Sequence, residues 1–449
     1  MFFSRLKDFT FVLFPILITQ LGMFSMSFLD TAMSGQVGES NLAGVAIGSS
    51  LWMPIYTGLS GILMAITPIV AQSFGANDKK NITHTVRQGF YVSVIIAILV
   101  GIIGFILLDP ILNGMNLEPN VFHIAFWYLV AIGTGLIPLF LYQVLRSFID
   151  GLGKTKVTMA IVLLSIPINF TFNYLLIFGK LGFPKLGGIG SGVATSITYW
   201  FILIFAIIFI QKSSQFKIFT IFSKLEKAEF TKWKEILKLG VPIGLAIFFE
   251  TSIFAAVTLL MSSYSTTTIA AHQVAMNFAS FLYMIPLSIS MALTVLVGQR
   301  IGANQLREAR IMSWFGITLA VGFSICSSIF IYFYREQVAA IYSSDLAVIK
   351  LSGHFLIFAL FFQISDAIQA PVQGALRAYK DVNTSFIMSM ISYWVIGLPL
   401  GFVLANYTDF GPYGYWIGLI TGLAVGAITL SCRLYLLQKK KARTGLTSK

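Results

Sequence analysis

Apolar stretches of roughly 20 residues, the length that spans the hydrocarbon core of a bilayer, recur along the whole chain with short polar connections between them. Twelve can be drawn, near residues 9–34, 45–70, 88–108, 122–145, 157–178, 189–211, 236–262, 268–297, 311–333, 347–375, 385–405 and 412–436. The runs are continuous rather than alternating, so they predict helices that satisfy their own backbone groups and not the strands of an outer-membrane barrel. The expected fold is an all-α integral membrane protein with twelve transmembrane helices. Composition agrees: of 449 residues, 57% are hydrophobic and only 10% charged, more apolar surface than a soluble core buries.

The net charge of +13 raises nucleic acid as a partner, and its distribution removes it. With a cytoplasmic N-terminus, 26 of the 30 Lys and Arg fall in cytoplasmic segments, and only Lys180, Lys185, Arg335 and Lys350 lie outside. This is the positive-inside pattern of a multi-pass protein of a bacterial inner (cytoplasmic) membrane, with both termini in the cytosol. The lipid bilayer is the expected partner and nucleic acid is not. Cys326 and Cys432 both fall in apolar spans and are read as packing residues. The first span follows a short Arg5/Lys7 segment without a small-residue cleavage site, so it is read as retained.

Sliding the chain along itself until Gln72 falls on Gln299 lays Gln72-x-x-Gly75-Ala76-Asn77 onto Gln299-x-x-Gly302-Ala303-Asn304, and the same offset lays Pro15-Ile16 onto Pro242-Ile243. Further on, Leu145-Arg146 resembles Leu376-Arg377, Pro167 resembles Pro399, and Gly187-x-x-Gly190 resembles Gly411-x-x-Gly414, with changed offsets that imply loop insertions. Each repeat holds six spans, an even number, so the two are parallel. The chain reads as an N-lobe at 1–210, a basic cytoplasmic linker at 211–235, a C-lobe at 236–438 and a basic tail at 439–449. Parallel six-helix halves suit alternating access, in which two lobes rock around a site between them. Pro15 and Pro242 hold equivalent places and are the expected hinges of helices 1 and 7. Because one chain contains both halves, a monomer is expected.

Basic residues map to loops and helix ends, and so do all but three acids. Asp30, Glu250 and Asp366 lie inside helices 1, 7 and 10, where a carboxylate costs about 2.5–3.5 kcal/mol to insert. No basic residue in the spans offers an ion pair, so these acids call for a cation or a proton. Asn169 and Asn173 put two amides on one face of helix 5, and helix 6 opens with Gly190-Ser191-Gly192 and carries Thr195 one turn later. With Asp30 these are hard oxygen donors suited to Na+, not to a transition metal. Phe248, Phe249, Phe361, Phe362, Met276 and Met284, large apolar side chains expected around these acids, are candidate walls for an organic cation, since aromatic faces attract cations and methionine adapts to varied shapes.

Other chemistries fail. Gly153-Lys154-Thr155 lacks the earlier glycine of a phosphate-binding loop, where Phe148 stands. Without a nucleotide-binding domain, transport would run on an ion gradient with no cofactor. His84, His123, His272 and His354 are scattered, and no nucleophile–base spacing supports an enzyme. A channel would need a charge ring or filter sequence, and none is present.

Twelve spans in two parallel halves, the twin Q-x-x-G-A-N segments, Ala270-Ala-His-Gln-Val-Ala, Leu145-Arg-Ser-Phe and Leu376-Arg-Ala-Tyr together resemble the multidrug and toxic compound extrusion (MATE) family, its NorM branch in particular. The resemblance covers essentially the whole chain, and the acids in helices 1, 7 and 10 carry it. It implies the MATE fold and antiport: export of cationic, often aromatic compounds in exchange for Na+ or H+, with Na+ usual in the NorM branch. It also implies a C-lobe cation site at Glu250 and Asp366 and an N-lobe site at Asp30, Asn169, Asn173 and Thr195, with Ser191 giving its backbone carbonyl. Phe362 stands one turn before Asp366 where NorM-like members often carry tyrosine, which removes a hydroxyl ligand. The alternative reading is a flippase of related architecture for a lipid-linked substrate; its cavity should be lined with Arg and Lys, and here none is expected in the membrane interior.

Overall fold

The computed structural model describes residues 2–224 and 226–446. Leu225, inside the expected 211–235 linker, lies outside the described residues, as do Met1 at the start of the expected N-lobe and Thr447, Ser448 and Lys449 at the end of the expected tail. Among the described residues there is no strand. The helices in chain order are α1 (Phe2–Gly35), α2 (Glu39–Leu63), α3 (Ile66–Gly75), α4 (Lys79–Gly114), α5 (Pro119–Gly133), α6 (Leu136–Gly151), α7 (Thr155–Phe178) and α8 (Gly188–Lys212). They continue with α9 (Ser214–Lys217), α10 (Phe230–Met261), α11 (Thr266–Gly302), α12 (Leu306–Tyr342), α13 (Leu346–Ala378), α14 (Val382–Met390), a π-helix (Ile391–Gly397), α15 (Leu398–Tyr407) and α16 (Tyr413–Leu446). Eleven segments are long and apolar enough to cross a membrane, and twelve if α5 and α6, bent by 51° at a short break, count as one span.

The repeat is carried by element positions. The helices α2, α4, α5 and α7 begin at Glu39, Lys79, Pro119 and Thr155; α11, α12, α13 and α14 begin at Thr266, Leu306, Leu346 and Val382, all at the single offset that carries Asn77 to Asn304. The twin Q-x-x-G-A-N segments are the same turn. Asn77 and Asn304 have φ of 57° and 56°, a left-handed conformation that asparagine tolerates after a helix, and Asp78 and Gln305 N–H reach back to the carbonyls of Ser73 and Arg300, each at 2.8 Å.

This register corrects one expected correspondence. The turns after α6 and α13 match Gly153 to Lys380, both at positive φ and again at the same offset, so no insertion separates the halves up to this point. The equivalents of Arg146 and Asp150 are therefore Gln373 and Arg377, and the Leu-Arg pairs that resemble each other in sequence stand one helical turn apart. The repeats also differ in continuity. In the first, the backbone breaks at Met64–Ala65 and at Thr134–Gly135; α11 and α13 run unbroken, and the π-helix belongs to the second repeat.

Two compact units partition the chain, Phe14–Gly244 and Met1–Leu13 with Leu245–Lys449. They do not part at the expected linker but inside α1 and α10, next to Pro15 and Pro242. The first turns of α1 belong with the second repeat: Arg5 donates to Glu308 at 3.1 Å, and Phe9 packs edge-on to Phe315 at 5.7 Å. The first turns of α10 belong with the first repeat, where Trp233 Nε1 donates to Gln88 at 2.8 Å. Gly240 lies so close to α2 that a Cβ there would meet the Ile62 carbonyl oxygen at 2.2 Å.

Candidate cation-binding sites

In the first unit, α7 turns Ser165, Asn169 and Asn173, spaced by four residues, into the interior, each 0–1% exposed. Residues at i, i+4 and i+8 share one helix face, and this one meets α1 at Asp30, itself 7% exposed. Asn173 Nδ2 donates to Asp30 Oδ1 at 2.6 Å and Asn169 Nδ2 to the same oxygen at 3.3 Å. Thr195 of α8 donates to Asp30 Oδ2 at 2.7 Å. The two asparagines are linked, Asn173 Nδ2 to Asn169 Oδ1 at 3.1 Å. The Ser191 hydroxyl donates to the Gly188 carbonyl of its own helix at 2.8 Å.

Among the described residues, Asp30 is met by neutral donors alone. A buried carboxylate without a counter-charge is costly, and Asn173 Oδ1 is buried without a hydrogen-bond partner. A half-turn of that amide would exchange the two atoms and bring the orphan oxygen toward Asp30. The carboxylate, two amide oxygens and a hydroxyl form a hard-oxygen set that fits Na+. No group of three or more His, Cys, Asp or Glu side chains placed to hold a metal ion occurs among the described residues.

In the second unit, Glu250 on α10 and Asp366 on α13 are both buried, 9% and 4% exposed, and close enough for their charges to interact. Tyr283 of α11 donates its hydroxyl to Glu250 Oε1 at 3.3 Å, so another helix supplies the hydroxyl that Phe362 lacks. Along α13, Gln369 Nε2 donates to the Tyr393 hydroxyl in the π-helix, Gln373 Nε2 donates to Ser389 at 3.3 Å, and Arg377 donates to Gln373 Oε1 at 3.4 Å. The Arg377 guanidinium also acts on Glu250 through its charge. Arg377 is itself buried, 8% exposed, although the sequence places it at a helix end. A helix end that sequence places in a loop is covered here by its neighbours. Arg146, 5% exposed, is likewise buried, between Gln20 at 2.9 Å and Asp150 at 3.5 Å.

Tyr283, Gln369, Gln373, Arg377 and Tyr393 escaped the sequence reading. One signal was available: Gln363, Asp366, Gln369, Gln373 and Arg377 recur every three or four residues, a polar stripe on one face of an apolar helix. The aromatic candidates scatter. Phe362 is 5% exposed and packs in the core against Phe254 and Trp416, with ring centroids at 5.7 and 6.2 Å. Phe249 touches Phe248, Phe386 and Trp394. Phe248 and Phe361 are exposed, and Met276 and Met284 half-buried. Pro15 and Pro242 both lie inside unbroken helices, and the Pro15 carbonyl accepts the Thr19 hydroxyl at 2.8 Å.

The MatE family model matches the chain twice, over residues 15–175 and 242–403, segments whose starts are offset as the helices are. The chain belongs to the MatE family. MatE proteins are membrane transporters and not enzymes. The chain is 55% identical over 442 residues to a probable multidrug resistance protein NorM of Halalkalibacterium halodurans, covering 98% of this chain and 96% of that one. It is 55% identical to the Bacillus subtilis protein of the same name, covering 97% of each. Solved structures show the same fold. A eukaryotic MATE transporter superposes with a TM-score of 0.88 at 21% identity, covering 99% and 98% of the two chains. A MATE structure in a bent conformation gives 0.89 at 17% identity over 98% and 97%.

Proposed function

We propose that this MatE-family chain is a multidrug efflux antiporter of a bacterial cytoplasmic membrane that exports cationic amphipathic compounds in exchange for Na+ or H+. The name shared by its NorM relatives supports drug export. The observation that carries the coupling is Asp30, a buried carboxylate held by two amides and a hydroxyl with no cationic partner among the described residues. The coupling ion is cargo. Asp30, Asn169, Asn173 and Thr195 would hold it, and the ion would supply the positive charge that the carboxylate lacks. Glu250 and Asp366 form a second carboxylate pair, but Arg377 already supplies one positive charge there. The first-repeat site is therefore the principal ion site.

Both termini face the cytosol, one chain is the working unit, and alternating access proceeds by bending of α1 and α10 at Pro15 and Pro242. Phe248, Phe249, Phe361, Met276 and Met284 are candidate contacts for the exported cation. A flippase for a lipid-linked anion is not favoured, because the buried Arg146 and Arg377 are engaged by Asp150, Gln20, Gln373 and Glu250.

The test is ethidium efflux from proteoliposomes under an imposed Na+ or H+ gradient. Wild type should respond to one gradient, Asp30→Asn should lose the response, and Glu250→Gln and Asp366→Asn should separate ion from drug effects. Absence of efflux by folded wild type under both gradients would remove the drug-antiporter reading.

A further inference from the structure

Between α8 and α10 the chain runs back along the first turns of α4 and is bound to it residue by residue. Arg87 Nε donates to the Ile221 carbonyl at 3.0 Å, Arg87 Nη2 to the Thr220 carbonyl at 2.6 Å, and Thr83 to the Phe219 carbonyl at 2.7 Å. Gln88 Nε2 donates to the Lys227 carbonyl at 2.8 Å, and Tyr91 to the Glu226 carbonyl at 2.7 Å. At the centre stands His84, 28% exposed and thus open to protons from solvent. Its Nδ1 lies 2.7 Å from Glu226 Oε2 and its Nε2 lies 2.9 Å from Glu229 Oε2.

Proton counting decides what this arrangement is. An ionised carboxylate only accepts hydrogen bonds, and a neutral imidazole has one donor and one acceptor nitrogen. Nδ1 forms a hydrogen bond with Glu226, and Nε2 lies beside Glu229 at ion-pair distance; a neutral ring would turn one bare nitrogen lone pair toward a carboxylate, so the arrangement favours one further proton. Glu226 is not its carrier: burial pushes its carboxyl up, but hydrogen bonds from His84 and Arg87 and their charges outweigh this and hold it below the usual carboxylate range. A ring nitrogen is a stronger base than a carboxylate oxygen, so the ring carries the proton.

We infer that His84, Glu226 and Glu229 form a proton-binding clasp, with the ring doubly protonated, that fastens the inter-repeat linker to α4 and loosens when the proton is lost. The other charged groups of this region are Arg87 on Glu226 Oε1, Lys80 on α4, Lys224 and Lys227 on the linker, and Lys232, which binds Asn81 at 2.8 Å and Glu235 at 2.7 Å. The clasp belongs to the first repeat alone, since Ile311 stands at the equivalent of His84. On the face proposed as cytoplasmic, closing takes up one proton, so alkaline pH opens it. At the acid end Glu226, with its carboxyl held low, protonates last among comparable acids and keeps its half closed.

Hydrogen exchange of the purified full chain, corrected for the intrinsic pH dependence of amide exchange, tests this between about pH 5 and about pH 8, the range in which an imidazole changes charge. Protection of the linker amides should fall with rising pH by up to about tenfold per unit, the limit for one linked proton. In His84→Gln, whose amide cannot take the extra proton, it should be flat, and amides of α11 should be flat in both. Ring-nitrogen NMR on histidine-labelled protein, with His84 assigned by its absence in His84→Gln, should show both nitrogens protonated near neutral pH. A neutral ring, or an equal pH dependence in wild type and His84→Gln, would overturn the clasp.

Discussion

Trp416 donates its indole N–H to His272 Nδ1 at 3.1 Å, and an indole nitrogen can only donate. His272 Nδ1 is therefore bare, and the ring proton sits on Nε2, 3.3 Å from the Thr258 hydroxyl, which donates onward to the Phe254 carbonyl at 2.9 Å. This buried chain makes His272 structural. His272→Leu should leave the indole N–H unpaired at a cost of about 1–3 kcal/mol, seen as a lower melting temperature, with His272→Gln recovering part; equal melting of wild type and His272→Leu would refute the role. At the Asp30 site, Asn173→Leu removes the orphan oxygen and a donor together. Ion affinity, measured by calorimetry, should fall at least about tenfold, the weight of one charge-assisted contact of about 1.5 kcal/mol, and the ion-free protein should also melt lower, because Asp30 and Asn169 lose the Asn173 donor. Sequence exposed Asp30, Glu250 and Asp366 because a lone charge in an apolar run is conspicuous. It could not expose Tyr283, since a tyrosine is unremarkable in a span, and it marked Arg377 only as the end of the polar stripe on α13, where an arginine is ordinarily solvated; their roles arise only when α10, α11 and α13 pack together.

Helix existence was legible from hydropathy because each span must be about 20 apolar residues long. Continuity was not. Apolar length is blind to whether the hydrogen-bond ladder breaks, so the interruptions at Met64–Ala65 and Thr134–Gly135 and the π-helix at Ile391–Gly397 left no trace in the pattern. Close helix contacts were equally hidden among the 38 glycines. Gly374 is one that matters, because α11 crosses α13 so closely that a Cβ on it would lie 2.2 Å from the Ser290 carbonyl oxygen. Backbone cannot move aside as a flexible side chain can. Gly374→Ala should destabilise by about 1–3 kcal/mol through overpacking, lowering both melting temperature and monodisperse yield. Gly322→Ala, with open space around it, is the control, and similar losses from both would show that the α11–α13 contact is not the cause.

The two repeats share helix positions but not chemistry. Under the register that sets Asn77 on Asn304, Glu250 stands where the first repeat has Met23, and Asp30 stands where the second has Val257. The carboxylates therefore occupy different depths of a common scaffold, and a shared backbone plan does not make two equal ion sites. The same scaffold depends on how α5 and α6 are counted. If the pair turned back to the side it came from, every later segment would change sides, and the basic stretch Lys212–Lys238 would face outward against the positive-inside pattern. Two helices of 15 and 16 residues rise about 22 and 24 Å; with a 51° bend their ends stay roughly 40 Å apart, more than the roughly 30 Å hydrocarbon core. The pair crosses. In a Cys326→Ser, Cys432→Ser background, single cysteines placed at Lys180 and Lys350 should react with an impermeant maleimide on intact cells. Those at Lys80, Lys217 and Lys440 should react only after permeabilisation. Labelling of the Lys217 position from outside together with protection of the Lys180 position would mean that α5 and α6 re-enter, and would reverse the orientation of everything from α7 onward.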